Sequence, residues 1–225
     1  MIRQLVGFIM NIKEQLKKVN ESLVEYPDVK IVVATKYITA EQTKEVIDAG
    51  LKNLGENRVD SFLEKYEVFK DNEELVWHFF GVLQTRKVRS VIDKIDYLHS
   101  LDNLSLANEI NKRRKTPLKC FVQVNISAEA NKSGIDETKV VPFIKSLAKY
   151  ENIEVVGLMA IAKLTFDEDL LNGYYETMKE LQEDVKALNL PYAPCTELSM
   201  GMSNDYKVAI KHGATMIRLG RILLS

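Results

Sequence analysis

The sequence is short of almost everything that marks a specialised class of protein. It has two cysteines in 225 residues, Cys120 and Cys195, far apart and each inside an apolar strand-like segment. Neither a disulfide framework nor a thiolate metal pair is expected from them, and a cytoplasmic location fits such usage. Of the three histidines, His99 and His212 stand without acidic or cysteine neighbours at ligand spacing, which gives them structural or surface roles and leaves no zinc pattern. The apolar stretch at residues 5–10 is too short and interrupted for a membrane span, and no cleavage-site pattern follows it. Charge of one sign is missing too: 31 basic and 32 acidic residues spread along the chain leave a formal net charge of -1. Neither a nucleic-acid surface nor a membrane patch is expected. The one basic cluster, Lys112-Arg113-Arg114-Lys115, reads as the end of a solvated helix, where cations favour the dipole. No Pro/Gly/Ser-rich linker or low-complexity tract divides the chain, so residues 1–225 are expected to form one domain. A Gly-x-Gly-x-x-Gly run and a Walker loop are also lacking.

What the sequence does have is an alternation of short apolar runs with helical patterns. Strands are expected at residues 30–35, 53–55, 76–80, 95–99, 119–124, 154–160, 197–200 and 214–219. Between them the period moves toward that of a helix at 39–49, 105–112, 138–150, 167–189 and 203–212. The first of these has Thr39 as N-cap, Gln42 as capping-box partner and Gly50 as its stop. A helix at residues 12–23, with Ile12, Leu16, Val19 and Leu23 on one face, is expected to pack on the exterior. Continuous apolar strands separated by helices imply a parallel sheet buried on both faces. Eight such units suit a closed (β/α)8 TIM barrel, and a doubly wound open sheet is the alternative. Trp77 and Phe79 alternate with His78 and Phe80, so one pair should line the barrel and the other pack beneath helices.

Lys36 closes the apolar run Ile31-Val32-Val33-Ala34-Thr35, where a packed core gives way to a pocket. Desolvation lowers the pKa of a lysine held among apolar neighbours and frees its amine to attack an aldehyde, forming a Schiff base. Other polar residues fall after the proposed strands: Gly55-Glu56-Asn57-Arg58, Gly81 and Gln84, Ser100 and Asp102, Asn125, Met159, the 199–203 segment and 218–221. Barrel enzymes build their sites on that face. Ser199-Met200-Gly201-Met202-Ser203-Asn204-Asp205 suits a phosphate, because glycine permits close approach, hydroxyls donate, and a helix opening near Ser203 offers free N–H groups. The same segment also reads as an ordinary helix N-cap with Ser203 or Asp205 in the capping position. Leu219-Gly220-Arg221 is its natural partner, since barrel phosphate sites form from the loops after strands seven and eight. A phosphate opposite a Schiff-base lysine suggests pyridoxal phosphate.

From about residue 10 to residue 224, the chain resembles the pyridoxal phosphate homeostasis family, also called the YggS or proline synthetase co-transcribed family. The motifs are Val33-Ala34-Thr35-Lys36, Gly55-Glu56-Asn57-Arg58, Trp77-His78-Phe79-Phe80-Gly81-Val82-Leu83-Gln84, Val122-Gln123-Val124-Asn125, Lys132-Ser133-Gly134, Gly157-Leu158-Met159, the 198–205 run and Arg218-Leu219-Gly220. The resemblance implies a barrel related to the N-terminal domain of alanine racemase, pyridoxal 5'-phosphate on Lys36, and a role in holding, supplying or buffering that cofactor for apoenzymes. It implies cofactor contacts at Lys36, Asn57, Met159, Ser199, Met200, Gly201, Ser203, Arg218, Gly220 and Arg221, with Arg218 facing the pyridine nitrogen. No residue is assigned a catalytic role beyond Lys36 as Schiff-base lysine, and Lys132 is its rival. Two departures stand out. Arg221 follows Gly220, and the chain ends Leu223-Leu224-Ser225, where the family places a small hydroxyl residue and Phe-Gly. Met10-Asn11-Ile12 also resembles the family's usual start more than Met1 does, so residues 1–9 read either as an extension or as an artefact of start-codon choice.

A carrier with negligible turnover is the leading functional expectation, and a racemase-like enzyme dependent on pyridoxal phosphate is the alternative. Racemases of the related fold use a lysine and a tyrosine on opposite substrate faces, the tyrosine coming from a partner's second domain. The sequence contains no such domain, and a monomer is expected for the same reason. A third reading, a phosphate-binding barrel without a cofactor, conflicts with the pairing of Lys36 and the other motifs.

Overall fold

The protein, seen in a computed structural model, is described over residues 2–129 and 133–224, with side chains from residue 11 onward. Lys132 and Ser225 therefore lie outside the described residues. Eight parallel strands close on themselves: β1 (Lys30–Ala34), β2 (Asn53–Glu56), β3 (Val76–Phe79), β4 (Tyr97–Leu101), β5 (Leu118–Val124), β6 (Ile153–Ala160), β7 (Glu197–Met202) and β8 (Met216–Leu219). Closure is made by β8 pairing with β1, Lys30 opposite Met216 through Val33 opposite Leu219. That pairing removes the open-sheet alternative.

The period-two geometry of a strand divides the side chains between two cores. Val32, Tyr97, Phe121, Val156, Met159 and Met216 meet inside the barrel, while the intervening positions, such as Val33, Leu98 and Leu198, pack outward under the helices. On β3 the division is the expected one. Trp77 and Phe79 point outward, each in edge-to-face contact with Phe62, whereas His78 and Phe80 face the interior cluster. Gly157 is required where β6 and β7 meet, because a Cβ there would lie 1.9 Å from the carbonyl oxygen of Glu197.

Helices fill the connections: α1 (Ile2–Ser22), α2 (Ala40–Asp48), α3 (Val59–Phe69), α4 (Val88–Val91), α5 (Leu104–Arg113), α6 (Val140–Ser146), α7 (Glu168–Ala187), α8 (Tyr206–Lys211) and α9 (Arg221–Leu224). The capping box of α2 is present: Gln42 N donates to Thr39 Oγ1 at 3.2 Å and Thr39 N donates to Gln42 Oε1 at 3.1 Å. Gly50 ends the segment at a φ of 93°, the left-handed conformation glycine adopts without strain.

Several expectations shift, among them the start of β8, at Met216 and not at residue 214, and the helices α4 and α9, which are not among the expected elements. α3 has no counterpart in the sequence reading, because its inner face is Val59, Phe62 and Lys65 and a lysine in the apolar stripe hides the period. β4 begins two residues later than expected, since Asp96 instead forms a turn, its carboxylate accepting from Trp77 N at 2.7 Å. The helix expected at 138–150 splits into α6 flanked by 3-10 turns at Glu137–Lys139 and Leu147–Lys149. α8 starts at Tyr206 rather than near Ser203, because the chain at 202–205 is taken up by a turn closed by Asp205.

Candidate cofactor site

Two adjoining cavities open at the C-terminal mouth of the barrel, one of about 510 Å³ and one of about 420 Å³. They share Ala34, Lys36, Met202 and Arg218. The alternation of β1 and β8 accounts for this: Val32 and Met216 fill the interior below, so the next inward positions up these strands are Ala34 with Lys36, and Arg218 with Gly220. A lysine and an arginine thus stand on neighbouring strands at one cavity floor.

The backbone leading into Lys36 is clamped from behind. Lys65 Nζ donates to the carbonyl oxygen of Thr35 at 2.6 Å and pairs with Glu56 Oε1, which also accepts from Thr35 Oγ1 at 2.7 Å. Lys65 and Glu56 are 3% and 0% exposed at their side chains, so the pair is held in a medium where its attraction is little screened.

The larger cavity carries the donors suited to an anion. Ser203, Asn204, Gly220 and Arg221 line it, and Ile222 N donates to Ser203 Oγ at 3.3 Å, joining the β7 turn to α9. Asp205 lies in the same cavity with both oxygens engaged: Oδ1 accepts from Met202 N at 2.5 Å and Oδ2 from Tyr175 OH at 2.8 Å. Burial first, then the Asp205 carboxylate, push the Tyr175 hydroxyl far above its ordinary range, so it remains a donor. Gly201 has a φ of 91°, and a Cβ there would meet Ala209 Cβ at 2.7 Å. Its role is to let the turn pass over α8.

Arg218 is 4% exposed. Its Nη1 donates to Ser199 O at 2.7 Å and Ser199 Oγ at 2.6 Å, and Nη2 donates to Ala160 O at 2.8 Å. Burial lowers its pKa to about 10, opposed by Tyr175 and Asp205, which keeps it cationic at neutral pH.

Of the ten expected contact residues, Lys36, Ser203, Arg218, Gly220 and Arg221 line the larger cavity, and Asn57 lines the smaller. Gly201 shapes the turn without lining either. Three expectations need correction. Ser199 is fully buried and its hydroxyl engages Arg218 and His99, so it supports a pocket residue. Met200 points outward into the layer under the helices, by strand alternation. Met159 sits in the barrel interior, below the mouth, where Ile161 lines the smaller cavity instead. Sequence reasoning missed Tyr37 and Lys163, which line the larger cavity, and Lys65. A lysine just past β6 was the available signal for Lys163; nothing local marked Lys65.

His99 is not an isolated residue but a fully buried part of a hydrogen-bonded cluster, while His212 bonds Asn172 Oδ1 at 2.9 Å. Both cysteines are buried, and burial raises Cys195 to about 12 and Cys120 further. Neither thiol is poised as a nucleophile. Among the described residues no group of three metal-ligating side chains occurs, and no helix is long and apolar enough to cross a membrane.

Pyridoxal phosphate needs an amine for its aldehyde, donors for its phosphate and a partner for its ring nitrogen. The residues fit: Lys36 offers an amine, Ser203 and Arg221 offer donors and Arg218 offers a guanidinium, all lining the larger cavity. A closed eight-stranded barrel with its lysine at the end of β1 defines the class, since residues 10–225 match the alanine racemase N-terminal domain. Within that class, the chain belongs to the family of pyridoxal phosphate homeostasis proteins. It is 36% identical over 200 residues to the member from Aquifex aeolicus, covering 86% of this chain and 85% of the relative. Among solved structures, PipY of Synechococcus elongatus with PLP bound superposes with a TM-score of 0.85 at 29% identity, covering 95% of this chain and all of that one. The crystal structure of an unknown protein from Bifidobacterium adolescentis superposes with a TM-score of 0.90 at 26% identity, with 96% of each chain covered.

Proposed function

We propose that this chain holds pyridoxal 5'-phosphate covalently through Lys36 and supplies or buffers it for apoenzymes. The observation that carries this reading is that Lys36 and Arg218 line one cavity of about 510 Å³ together with Ser203, Gly220 and Arg221. When bound, the cofactor supplies an electrophilic aldehyde and an electron-withdrawing ring. Lys36 provides the amine that anchors it. Ser203 Oγ and the Arg221 guanidinium offer phosphate donors. Arg218 meets the ring nitrogen as a donor only. An arginine cannot accept a proton from that nitrogen and disfavours its protonation, so the ring is a weaker electron sink than one facing a carboxylate.

A residue set that grips the cofactor and weakens its electron withdrawal suits a carrier. The smaller cavity beside Lys36 favours the enzyme reading, since it leaves room for an amine substrate. Direct handover to apoenzymes, action as a single-domain monomer and residence in the cytoplasm are parts of the proposal.

The test is a spectrum followed by a map. The loaded protein should absorb visibly, lose that absorbance with borohydride and carry a pyridoxyl group on Lys36; Lys36→Ala should lose most stable retention. A pyridoxyl group found mainly on Lys132 would overturn the site. Steady turnover of common amino acids that vanishes in Lys36→Ala would replace the carrier with the enzyme.

A further inference from the structure

Beneath Arg218 a file of buried polar side chains crosses the barrel interior. Arg218 Nη1 meets Ser199 Oγ at 2.6 Å, Ser199 Oγ meets His99 Nδ1 at 2.8 Å, His99 Nε2 meets His78 Nδ1 at 2.9 Å, and His78 Nε2 meets Asn53 Oδ1 at 3.1 Å. Ser199, His99 and His78 are all 0% exposed. Four strands contribute: β7, β4, β3 and β2.

The direction of every bond in this file follows from its ends. A guanidinium only donates, so Ser199 Oγ is an acceptor toward Arg218. Among the described residues its single proton then has one acceptor within reach, His99 Nδ1. A neutral imidazole that accepts at Nδ1 carries its proton on Nε2, so His99 donates to His78 Nδ1. By the same rule His78 carries its proton on Nε2 and donates to Asn53 Oδ1, which accepts. Both ends therefore dictate the same order. Neutrality is secured by desolvation, which takes His78 down to about 3 and His99 well below its ordinary value, with Lys30 acting on His78, and His78 and Arg218 acting on His99. Face-to-face packing fixes the rings, His78 on Tyr97 at 4.7 Å and His99 on Phe121 at 4.5 Å.

We propose that Asn53, His78, His99 and Ser199 form a one-way hydrogen-bond relay that positions the Arg218 guanidinium at the pocket, with Ser199 and His99 as positioning residues. The bonds to Ser199 and Ala160 take both Nη1 hydrogens and one on Nη2. These bonds leave over the Nε–H and the second Nη2–H of a guanidinium that lines the cavity. Without the Ser199 hydroxyl the guanidinium keeps only two carbonyl acceptors, Ser199 O and Ala160 O, and turns about its own axis more readily. The consequence for the cofactor rests on the reading above, in which Arg218 meets its ring nitrogen; the relay itself does not.

Nitrogen-15 NMR of the unloaded protein tests the relay directly. At pH 7, long-range nitrogen–proton correlations should show His78 and His99 both neutral and both protonated at Nε2, and Arg218 should give separate, slowly exchanging Nη signals. Ser199→Ala and His99→Leu should merge those signals, while His99→Gln, which can accept from Ser199 and donate to His78, should keep them apart. A His99 proton on Nδ1, a charged His99, or an Arg218 signal indifferent to Ser199→Ala overturns the proposal. Should His99→Leu fail to fold, Ser199→Ala, which removes only a hydroxyl, and the wild-type tautomers still decide. In the loaded protein, Ser199→Ala should raise the Kd for pyridoxal phosphate about ten-fold, and less than two-fold in an Arg218→Gln background. Equal effects in both backgrounds overturn the positioning role. The expected NMR pattern without any visible absorbance on loading sinks the cofactor reading and leaves the relay standing.

Discussion

Lys65 Nζ lies 2.6 Å from the carbonyl oxygen of Thr35, so a buried cation on α3 holds the peptide group from which Lys36 springs. The same ammonium neutralises Glu56. Removing it leaves that carboxylate buried and uncompensated, at a cost of about 3–5 kcal/mol. Lys65→Met should therefore lower the unfolding free energy by about that amount in urea. The double variant Lys65→Met/Glu56→Gln should recover a good part of it. A Lys65→Met protein as stable as wild type would show that the pair is not buried in solution as described.

Ser203 joins the β7 turn to α9 and lines the larger cavity. Loss of a hydroxyl hydrogen bond to a charged phosphate is worth about 1.5–3 kcal/mol, or about ten-fold or more in affinity. Ser203→Ala should raise the Kd for pyridoxal phosphate by about that factor, measured by fluorescence titration. An unchanged Kd would move the phosphate away from this turn.

Gly201 combines a φ of 91° with a blocked Cβ position against Ala209 and Tyr206. Gly201→Ala meets both penalties, so a loss of about 1–3 kcal/mol is expected by chemical denaturation. A neutral result would mean that the 202–205 turn relaxes freely and is no rigid part of the site.

The buried histidines make stability depend on pH. Both are held neutral when folded, with pKa values depressed below the unfolded value of about 6.5. Above that value neither state binds the proton and nothing is lost. As pH falls below it the unfolded chain takes up protons that the folded one refuses, so stability drops, down to about 3 for His78. Between pH 7 and pH 5 the pair should cost roughly 4 kcal/mol. The combination His78→Gln/His99→Gln should flatten the curve. A wild-type stability that is level over this range would mean that the rings take up protons in the folded state.

Much of the barrel was legible because local chemistry and tertiary packing agree along its strands. Val32-Val33-Ala34 reads as a strand buried on both faces and is one, and Thr39 with Gln42 announces a helix start that needs no distant partner. Where the period is broken by a residue whose partner lies elsewhere in the chain, the reading failed. Lys65 hid α3, because its charge is satisfied by Glu56 on another element. The pocket was legible to the level of its loops: Lys36, Ser203, Arg218 and Arg221 follow strand ends, and strand ends meet at one mouth in any closed parallel barrel.

Composition and periodicity by themselves determined that this chain builds alternating strands and helices, and that Lys36 and the 199–205 and 218–221 segments gather at one end. Those properties follow from spacing along the backbone, which each stretch carries within itself. Which way each side chain turns was decided by closure of the barrel. Register between strands, shifted at three of the eight interfaces, took Met159 below the mouth and placed Ser199 between Arg218 and His99. Two histidines 21 residues apart and a serine 100 residues beyond the second become a single hydrogen-bonded file only when three strands bring their inward faces together, because a hydrogen bond acts over about 3 Å and is indifferent to distance along the chain.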